Sequence, residues 1–355
     1  MSSKSFEYKI KEIENLENEK KYKVTVEFPA ESGWIDDVYF ITKKGKDIIP
    51  YRLRFKDKEN GKIIFEGDVN LETRALYHYY FSYSEDGIRK FHKKENQVED
   101  NRVIPDEMWK MSVNFNAPDW AKGKIMYHIF VDRFNRGSKE KMEELPRRTI
   151  HESWDEEMII GPDKDGIWNN DFYGGDLKGI IEKLDYIKSL GTSILYLSPI
   201  VQSQSNHRYD TADYENVDPY AGCNDDLKEL CEETHKRGMK VVLDAVFNHT
   251  GSDSKYFNQY GAFNELGAYQ SSNSPYAKFY RKKEIDGKTH YDYWWGMKNL
   301  PVCDGYSKEW QEYITGKNGI IDKWFALGID GLRLDVADEL TDEYIEKIRT
   351  AVKRY

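Results

Sequence analysis

The sequence predicts a multidomain chain. An N-terminal antiparallel β-sandwich is followed by the first half, four βα units, of a (β/α)8 TIM barrel, with a small inserted subdomain after the third barrel strand. Three observations predict it. The apolar rhythm changes near residue 115, from period two to apolar runs that alternate with helical repeats. Four such runs occur in order, each followed by a helix pattern. Polar residues stand at or just after three of the run ends, where the surroundings would favour apolar ones. At 355 residues the chain is too long for one ordinary domain.

The N-terminal strands come first. Tyr22, Val24, Val26 and Phe28 alternate with Lys23, Thr25 and Glu27. Val38–Ile41, Tyr51–Phe55, Ile63–Phe65 and Tyr77–Tyr83 follow as short aromatic and β-branched runs. Lys43–Lys46 and Glu59-Asn60-Gly61-Lys62 lie between them, the latter with the residues of a hairpin turn. This predicts a sandwich over residues 1–115. It carries no clustered chemistry, and a binding or oligomerising module and an inert structural domain both fit. Asn114-Phe115-Asn116-Ala117-Pro118-Asp119-Trp120 reads as the junction.

The barrel half runs over residues 120–355. Ile125–Phe130 reads as a strand buried on both faces, as in parallel sheets. A polar insertion, 136–172, precedes Gly174-Gly175-Asp176. Leu177, Ile180, Ile181, Leu184, Ile187 and Leu190 then repeat at helical spacing, and Gly191 ends the helix. Ile194–Leu197 is the second strand, and Leu227, Leu230, Cys231 and Thr234 mark a helix stopped by Gly238. Val241–Phe247 is the third strand, followed by the subdomain at about 250–308. Trp310, Tyr313, Ile314, Trp324 and Phe325 lead through Gly328 to the fourth strand, Ile329–Leu334. Thr341 caps a last helix, with Asp342 and Glu343 in its first turn.

Composition narrows the function classes. The chain is 39% hydrophobic and 14% aromatic, so it is not a disordered protein. Lys and Arg number 53 against 63 Asp and Glu, a net charge of −10. With no long basic run, this balance argues against nucleic acid or anionic membrane as the main partner. Cys223, Cys231 and Cys303 are too few and too scattered for a disulfide framework or a zinc site. The N-terminus has no apolar signal region, and no stretch approaches about 18 apolar residues. The expected setting is the cytoplasm.

The chemistry gathers at strand ends, which in a barrel lie at the face that carries active sites. The third strand reads Asp244-Ala245-Val246-Phe247-Asn248-His249 and the fourth Gly331-Leu332-Arg333-Leu334-Asp335. After the second comes His207-Arg208-Tyr209-Asp210-Thr211-Ala212-Asp213-Tyr214. Arg333 and Asp335, two apart on a strand, point to one side. A guanidinium beside a carboxylate favours the charged form, as a carboxylate nucleophile requires. On spacing alone, a structural ion pair explains them equally well. Asp244, His249 and Tyr209 each have an ordinary structural reading too; their joint occurrence at successive strand ends favours a site.

These motifs resemble the conserved regions of the alpha-amylase superfamily, glycoside hydrolase family 13. Gly174-Gly175-Asp176-Leu177 and the segment His207–Tyr214 are similar to its neopullulanase/cyclomaltodextrinase branch. The likeness covers 120–355 by motif and 1–115 by type. It implies a retaining glycoside hydrolase acting on α-glucosidic bonds of maltodextrins, cyclodextrins or pullulan. Asp335 is then the nucleophile that forms a glycosyl–enzyme intermediate, and Arg333 holds it ionised. Asp244, His249 and Asn248 would contact sugar hydroxyls, Tyr209 would offer a ring face, and His207 and Glu339 would stand nearby. Trp294 and Trp295 are either walls for further glucose units or core of the inserted subdomain. The resemblance also implies an α-glucan partner, no required cofactor, and a first domain that binds carbohydrate or forms a homodimer.

Two departures from the family pattern stand out. The family places its general acid, a Glu, on a fifth strand, and a sugar-binding His–Asp pair after a seventh. Neither maps onto these residues, and nothing in their spacing recommends Asp338 or Glu339 as substitutes. The expectation is a chain catalytically dead or severely impaired by itself, since positioned acid–base groups contribute about 10²–10⁴-fold each. Open edges on the first and fourth strands also predict poor solubility unless another chain covers them. The second departure is calcium, which some relatives bind after the first strand. Here Asn135-Arg136-Gly137-Ser138-Lys139 is poor in oxygen ligands, and Asp132, Asn135, Gly174 and Asp176 supply only part of a shell. No tight site is expected.

A non-catalytic glucan- or protein-binding relative or fragment is the competing reading. An unrelated phosphosugar barrel is disfavoured, because no Gly-rich phosphate cradle follows any strand.

Overall fold

The computed structural model describes residues 6–16, 19–72, 75–94, 107–113, 117–138, 145, 147–163 and 166–355. Asn114, Phe115 and Asn116 of the expected junction, and parts of the 136–172 insertion, lie outside them. The chain divides into two compact units, Met1–Asp119 and Trp120–Tyr355.

The described strands of the first unit are β1 (Glu7–Asn15), β2 (Glu19–Pro29), β3 (Ile35–Lys44), β4 (Asp47–Arg52), β5 (Arg54–Glu59), β6 (Lys62–Glu72), β7 (Ala75–Glu85), β8 (Ile88–His92) and β9 (Trp109–Val113). They form antiparallel sheets in the orders β1-β2-β6-β5 and β4-β3-β7-β8, with β9 also on β7. In β2 the apolar members of the alternation are the buried ones, and residues of both sheets share one core. Asn60 and Gly61, with φ of 50° and 76°, make the left-handed turn between β5 and β6. The Tyr51–Phe55 run is not one strand. It passes from one sheet to the other at buried Leu53, and a Cβ on Gly67 would come within 2.8 Å of that leucine's side-chain end, so a larger residue there would have to displace it.

In the second unit β10 (Met126–Ile129), β13 (Ile194–Leu197), β16 (Lys240–Ala245) and β19 (Gly331–Leu334) make one parallel sheet in that order. Between them lie the short pairs β11 (Thr149–Ile150) with β12 (Asp171–Phe172), β14 (Val201–Ser203) with β15 (Thr211–Val217), and β17 (Lys282–Ile285) with β18 (Lys288–Tyr291). The helices are α1 (Leu177–Ser189), α2 (Asn224–Lys236), α3 (Lys308–Thr315), α4 (Ile320–Ala326) and α5 (Asp342–Val352). Left-handed Gly191 and Gly238 follow α1 and α2, and the Thr341 hydroxyl accepts from the Tyr344 N–H to cap α5. Leu195, Leu197, Val241 and Leu243 join the helices in one core, while Tyr196, Asp244 and Arg333 occupy the other sheet face. The run Ile125–Phe130 departs from expectation. Only Ile129 of its sheet-forming part is buried, and Ile125 and Met126 are about half exposed, because β10 is an edge with neighbours on one side only. Among the described residues no helix is long and apolar enough to cross a membrane.

Candidate active site

Register brings the first charges together. Asp244 pairs with Arg333 across β16 and β19, which sets both side chains on the same sheet face. Arg333 Nη1 donates to Asp244 Oδ1 and Oδ2 at 3.0 and 3.1 Å and to Asp335 Oδ1 at 2.7 Å. One guanidinium nitrogen thus bridges the two carboxylates. The Asp335 N–H continues the ladder to the Ala245 carbonyl at 3.1 Å. Val336 then adopts φ 47°, rare for a β-branched residue, and turns the chain away from the sheet. Tyr196 and Tyr209 hydroxyls donate to Asp244 Oδ2 at 2.5 and 2.9 Å. Sequence reasoning passed over Tyr196. Its signal was a polar tip on a strand whose neighbours, Leu195 and Leu197, face the helices.

The electrostatics follow from burial and these bonds. Burial pushes the Asp244 carboxyl up, against the pull of Tyr196, Arg333 and Tyr209. Tyr209 is pushed up to about 12 by burial and by the charge of Asp244. Burial works against the Arg333 charge, yet Asp244 outweighs it and leaves the guanidinium more firmly protonated than usual. Burial lowers His249, so it stands neutral, and its Nε2 is a buried atom with no partner among the described residues.

A ladder of rings rises from His249. It stacks on Trp294 at 5.0 Å and 23°, and Trp294 on Trp295 at 5.4 Å and 29°. Both indole N–H groups donate to Glu339 Oε1, at 3.2 and 3.3 Å, while Asn248 Nδ2 donates to Oε2 at 3.2 Å. Glu339 therefore braces the aromatic wall. Trp295 is 79% exposed and packs in no core. His207 Nδ1 accepts from the Tyr209 N–H at 3.1 Å, fixing the loop between them.

Asp335, Tyr209, His207, His249 and Trp294 line one cleft of about 1000 Å³. Arg147, Trp168 and Tyr260, which sequence reasoning missed, also line it. Asp253, partly exposed in the same cleft, has its carboxyl pushed up to about 6, first by burial and then by the charge of Asp210. A raised carboxyl contributes stability that is present below its ordinary pKa, about 3.9, and is lost as pH rises through the raised value. The melting temperature of Asp253→Asn should therefore gain on the unchanged chain between pH about 5 and pH about 7.5, read by thermal scans at both; a constant difference would refute the assignment.

The calcium candidates are not gathered into an oxygen cage. Asp132 accepts from the Tyr173 and Gly174 N–H groups at 3.1 and 3.0 Å and from Arg133 Nε at 2.8 Å. Asp176 caps α1 through the Gly179 N–H at 2.6 Å and accepts from Gly137 and Ser138. Asn135 turns its Nδ2 to the Gly179 carbonyl. Carboxylates turned to N–H donors hold loops, and among the described residues no group of three or more His, Cys, Asp or Glu side chains is placed to hold a metal.

The strand ends of this parallel βα sheet carry a guanidinium-bridged carboxylate pair, and one member of the pair, Asp335, lines a cleft with aromatic residues in its lining. The family model described as "Alpha amylase, catalytic domain" matches residues 128–353, and the chain belongs to that family. An amylopullulanase of Thermoanaerobacter thermohydrosulfuricus is 42% identical over 274 residues, which is 67% of this chain and 18% of that protein. A cyclomaltodextrinase of Thermoanaerobacter pseudethanolicus is 32% identical over 303 residues, 81% of this chain and 48% of that protein. A solved cyclomaltodextrinase superposes with a TM-score of 0.58 at 24% identity, over 94% of this chain and 55% of its own, a likeness of fold. The chain spans less than half the length of these two curated relatives.

Proposed function

We propose that these residues form part of the active site of a retaining glycoside hydrolase that cleaves α-glucosidic bonds in maltodextrins, cyclodextrins or pullulan. The observation that carries the reading is the single guanidinium nitrogen shared by Asp335 and Asp244, with Asp335 lining the cleft. Asp335 attacks the anomeric carbon, the glycosidic bond breaks, and a glycosyl ester forms that water later hydrolyses. Asp244, held by three donor groups, and neutral His249 hydrogen-bond the hydroxyls of that sugar. Tyr209 offers it a ring face. Trp294 and Trp295 extend the wall, and the names of the amylopullulanase and cyclomaltodextrinase relatives support α-glucans as the substrate class.

The four-stranded sheet is read as the first half of the barrel, with 250–308 as its inserted subdomain and a cytoplasmic setting. In the first unit, exposed Trp34 and Phe55 support a carbohydrate-binding or dimerising surface. The leaving oxygen must be protonated, and the family's general acid maps onto none of these residues; Asp253, whose carboxyl is raised in the same cleft, has Asp210, Arg147 and Arg148 as its charged neighbours, so this reading does not give it the role. Asp244 shares the nucleophile's partner, but both its oxygens already accept from N–H or O–H donors. The 355-residue chain should therefore fail to turn over maltodextrin. It should still release fluoride from α-maltosyl fluoride, because fluoride leaves with its electron pair and needs no proton. Sugar binding without fluoride release would favour the non-catalytic, binding-only reading, and wild-type-like maltodextrin turnover would refute the missing acid.

A further inference from the structure

The sheet face opposite the helices carries a polar row that runs beyond the carboxylate pair. His128 stands opposite Tyr196 in the register of β10 and β13, on the same side of the sheet as Asp244 and Arg333. The two rings stack at 4.4 Å and 18°, and His128 Nε2 shares a hydrogen bond of 2.8 Å with the Ser198 hydroxyl. The Ser198 N–H donates to the Ile129 carbonyl at 3.0 Å, which ties the end of β13 to β10. At the other side of the row, the Tyr196 hydroxyl donates to Asp244 Oδ2 at 2.5 Å, and Arg333 Nη1 joins Asp244 to Asp335. Direct contacts therefore run across all four strands, from His128 to Asp335.

Asp244 faces Tyr196 from β13, Tyr209 from the loop before β15 and Arg333 from β19, with Asp335 beyond the guanidinium. Burial, and then the bond to charged Asp244, push the Tyr196 hydroxyl far up, so it keeps its proton and donates it. Burial also pushes the Asp244 carboxyl up, and Tyr196 is foremost among the groups that oppose this. An O–H bonded to a carboxylate is among the stronger hydrogen bonds and orients both partners. Tyr196 and His128 are not among the described residues that line the cleft, so they act through Asp244 and not on a substrate.

We propose that Tyr196 is a positioning residue for the nucleophile: its hydroxyl holds Asp244, Asp244 holds Arg333 against Asp335, and the stacked His128 ring holds Tyr196. This rests on the retaining-hydrolase reading and adds what aims the attacking group. Fluoride release from α-maltosyl fluoride by the full chain, followed against pH, tests it. Tyr196→Phe keeps the ring and its stack and deletes one hydroxyl. It should lower the rate at saturating substrate about 10- to 100-fold, the worth of a hydrogen bond to a charged group, with a smaller change in KM. The acid limb of the profile should move to higher pH, because Asp244 loses a bond that favours its charged form. In an Asp244→Asn background the same change should cost less than about 2-fold, since the hydroxyl then has no anion to hold. At exposed His128, His128→Ala should move the limb the same way by less, and His128→Phe, which restores a ring to stack on, should recover most of the rate. An equal loss in both backgrounds, or a loss with the acid limb unmoved in both the Tyr196 and the His128 variants, would make Tyr196 a packing residue and overturn the proposal. If the unchanged chain releases no fluoride, the hydrolase reading fails and the positioning role falls with it. If release depends on Asp335 but Tyr196→Phe matches the unchanged chain at every pH, that reading stands and the positioning role falls.

Discussion

Asp335→Asn is expected to abolish fluoride release from α-maltosyl fluoride, by at least about 10⁴-fold, the order seen when a nucleophile is removed. The change keeps the side chain's size and its reach to Arg333, and deletes only the oxygen anion that attacks carbon. Mass spectrometry of the unchanged chain under slow turnover should show one added maltosyl unit on the peptide containing Asp335, and the variant should show none. Asp244→Asn separates the roles. Asp244 lies under Tyr196 and Tyr209 with both oxygens occupied, so its loss should weaken sugar binding without relocating the covalent label. Retention of label and fluoride release in the Asp335 variant would remove the nucleophile assignment. A Lys in place of Arg333 would not repair a broken site, because a single ammonium cannot hold the same planar geometry between two carboxylates.

The parts legible in the sequence were those set by local period and by residue chemistry at fixed offsets. Alternation located β2 because its two faces see different media. Leu177, Ile180, Leu184 and Ile187 located α1 because they form one stripe. Arg333 and Asp335 were legible because residues two apart on or beside a strand share a side. The sharing of Arg333 with Asp244 was not legible, since it depends on the register of β16 against β19, 89 residues apart in sequence. Tyr196 stayed hidden for the same reason, as did Trp168, whose cleft position depends on Asn206 reaching the insertion. The Ile125–Phe130 run misled in the other direction. Apolar composition says that a segment can be buried, and its place at the edge of the sheet decides that most of it is not.

Asp218→Asn should destabilise the second unit by about 3–5 kcal/mol, the usual cost of removing one partner from a buried ion network. Asp218 has no exposed surface and the Arg148 and Arg208 side chains are nearly as buried. Its carboxylate accepts from Arg148 Nη2 at 2.6 Å, Arg208 Nη2 at 3.3 Å and the Tyr220 N–H at 3.0 Å. The Arg148 guanidinium also packs against both the Phe172 and Tyr220 rings, 4.8 and 4.7 Å from their centres. An amide in place of the carboxylate leaves two guanidinium charges facing each other in a dry space. Burial pushes the Asp218 carboxyl up, but Arg208 and Arg148 overcome this and hold it below the ordinary range. Its contribution is therefore present above the ordinary aspartate pKa and lost as pH falls through the lowered value. Urea unfolding should show the variant's deficit at neutral pH and a shrinking deficit on acidification. A deficit that ignores pH would mean that shape, and not charge, is what Asp218 supplies. The network also reaches the site, because Arg208 holds a left-handed φ of 60° immediately before Tyr209. Replacing Arg148, Arg208 and Asp218 together by apolar residues of similar volume should recover most of the stability. It should not recover full fluoride release, because the charged anchor of residue 208, which holds the backbone next to Tyr209, would be gone.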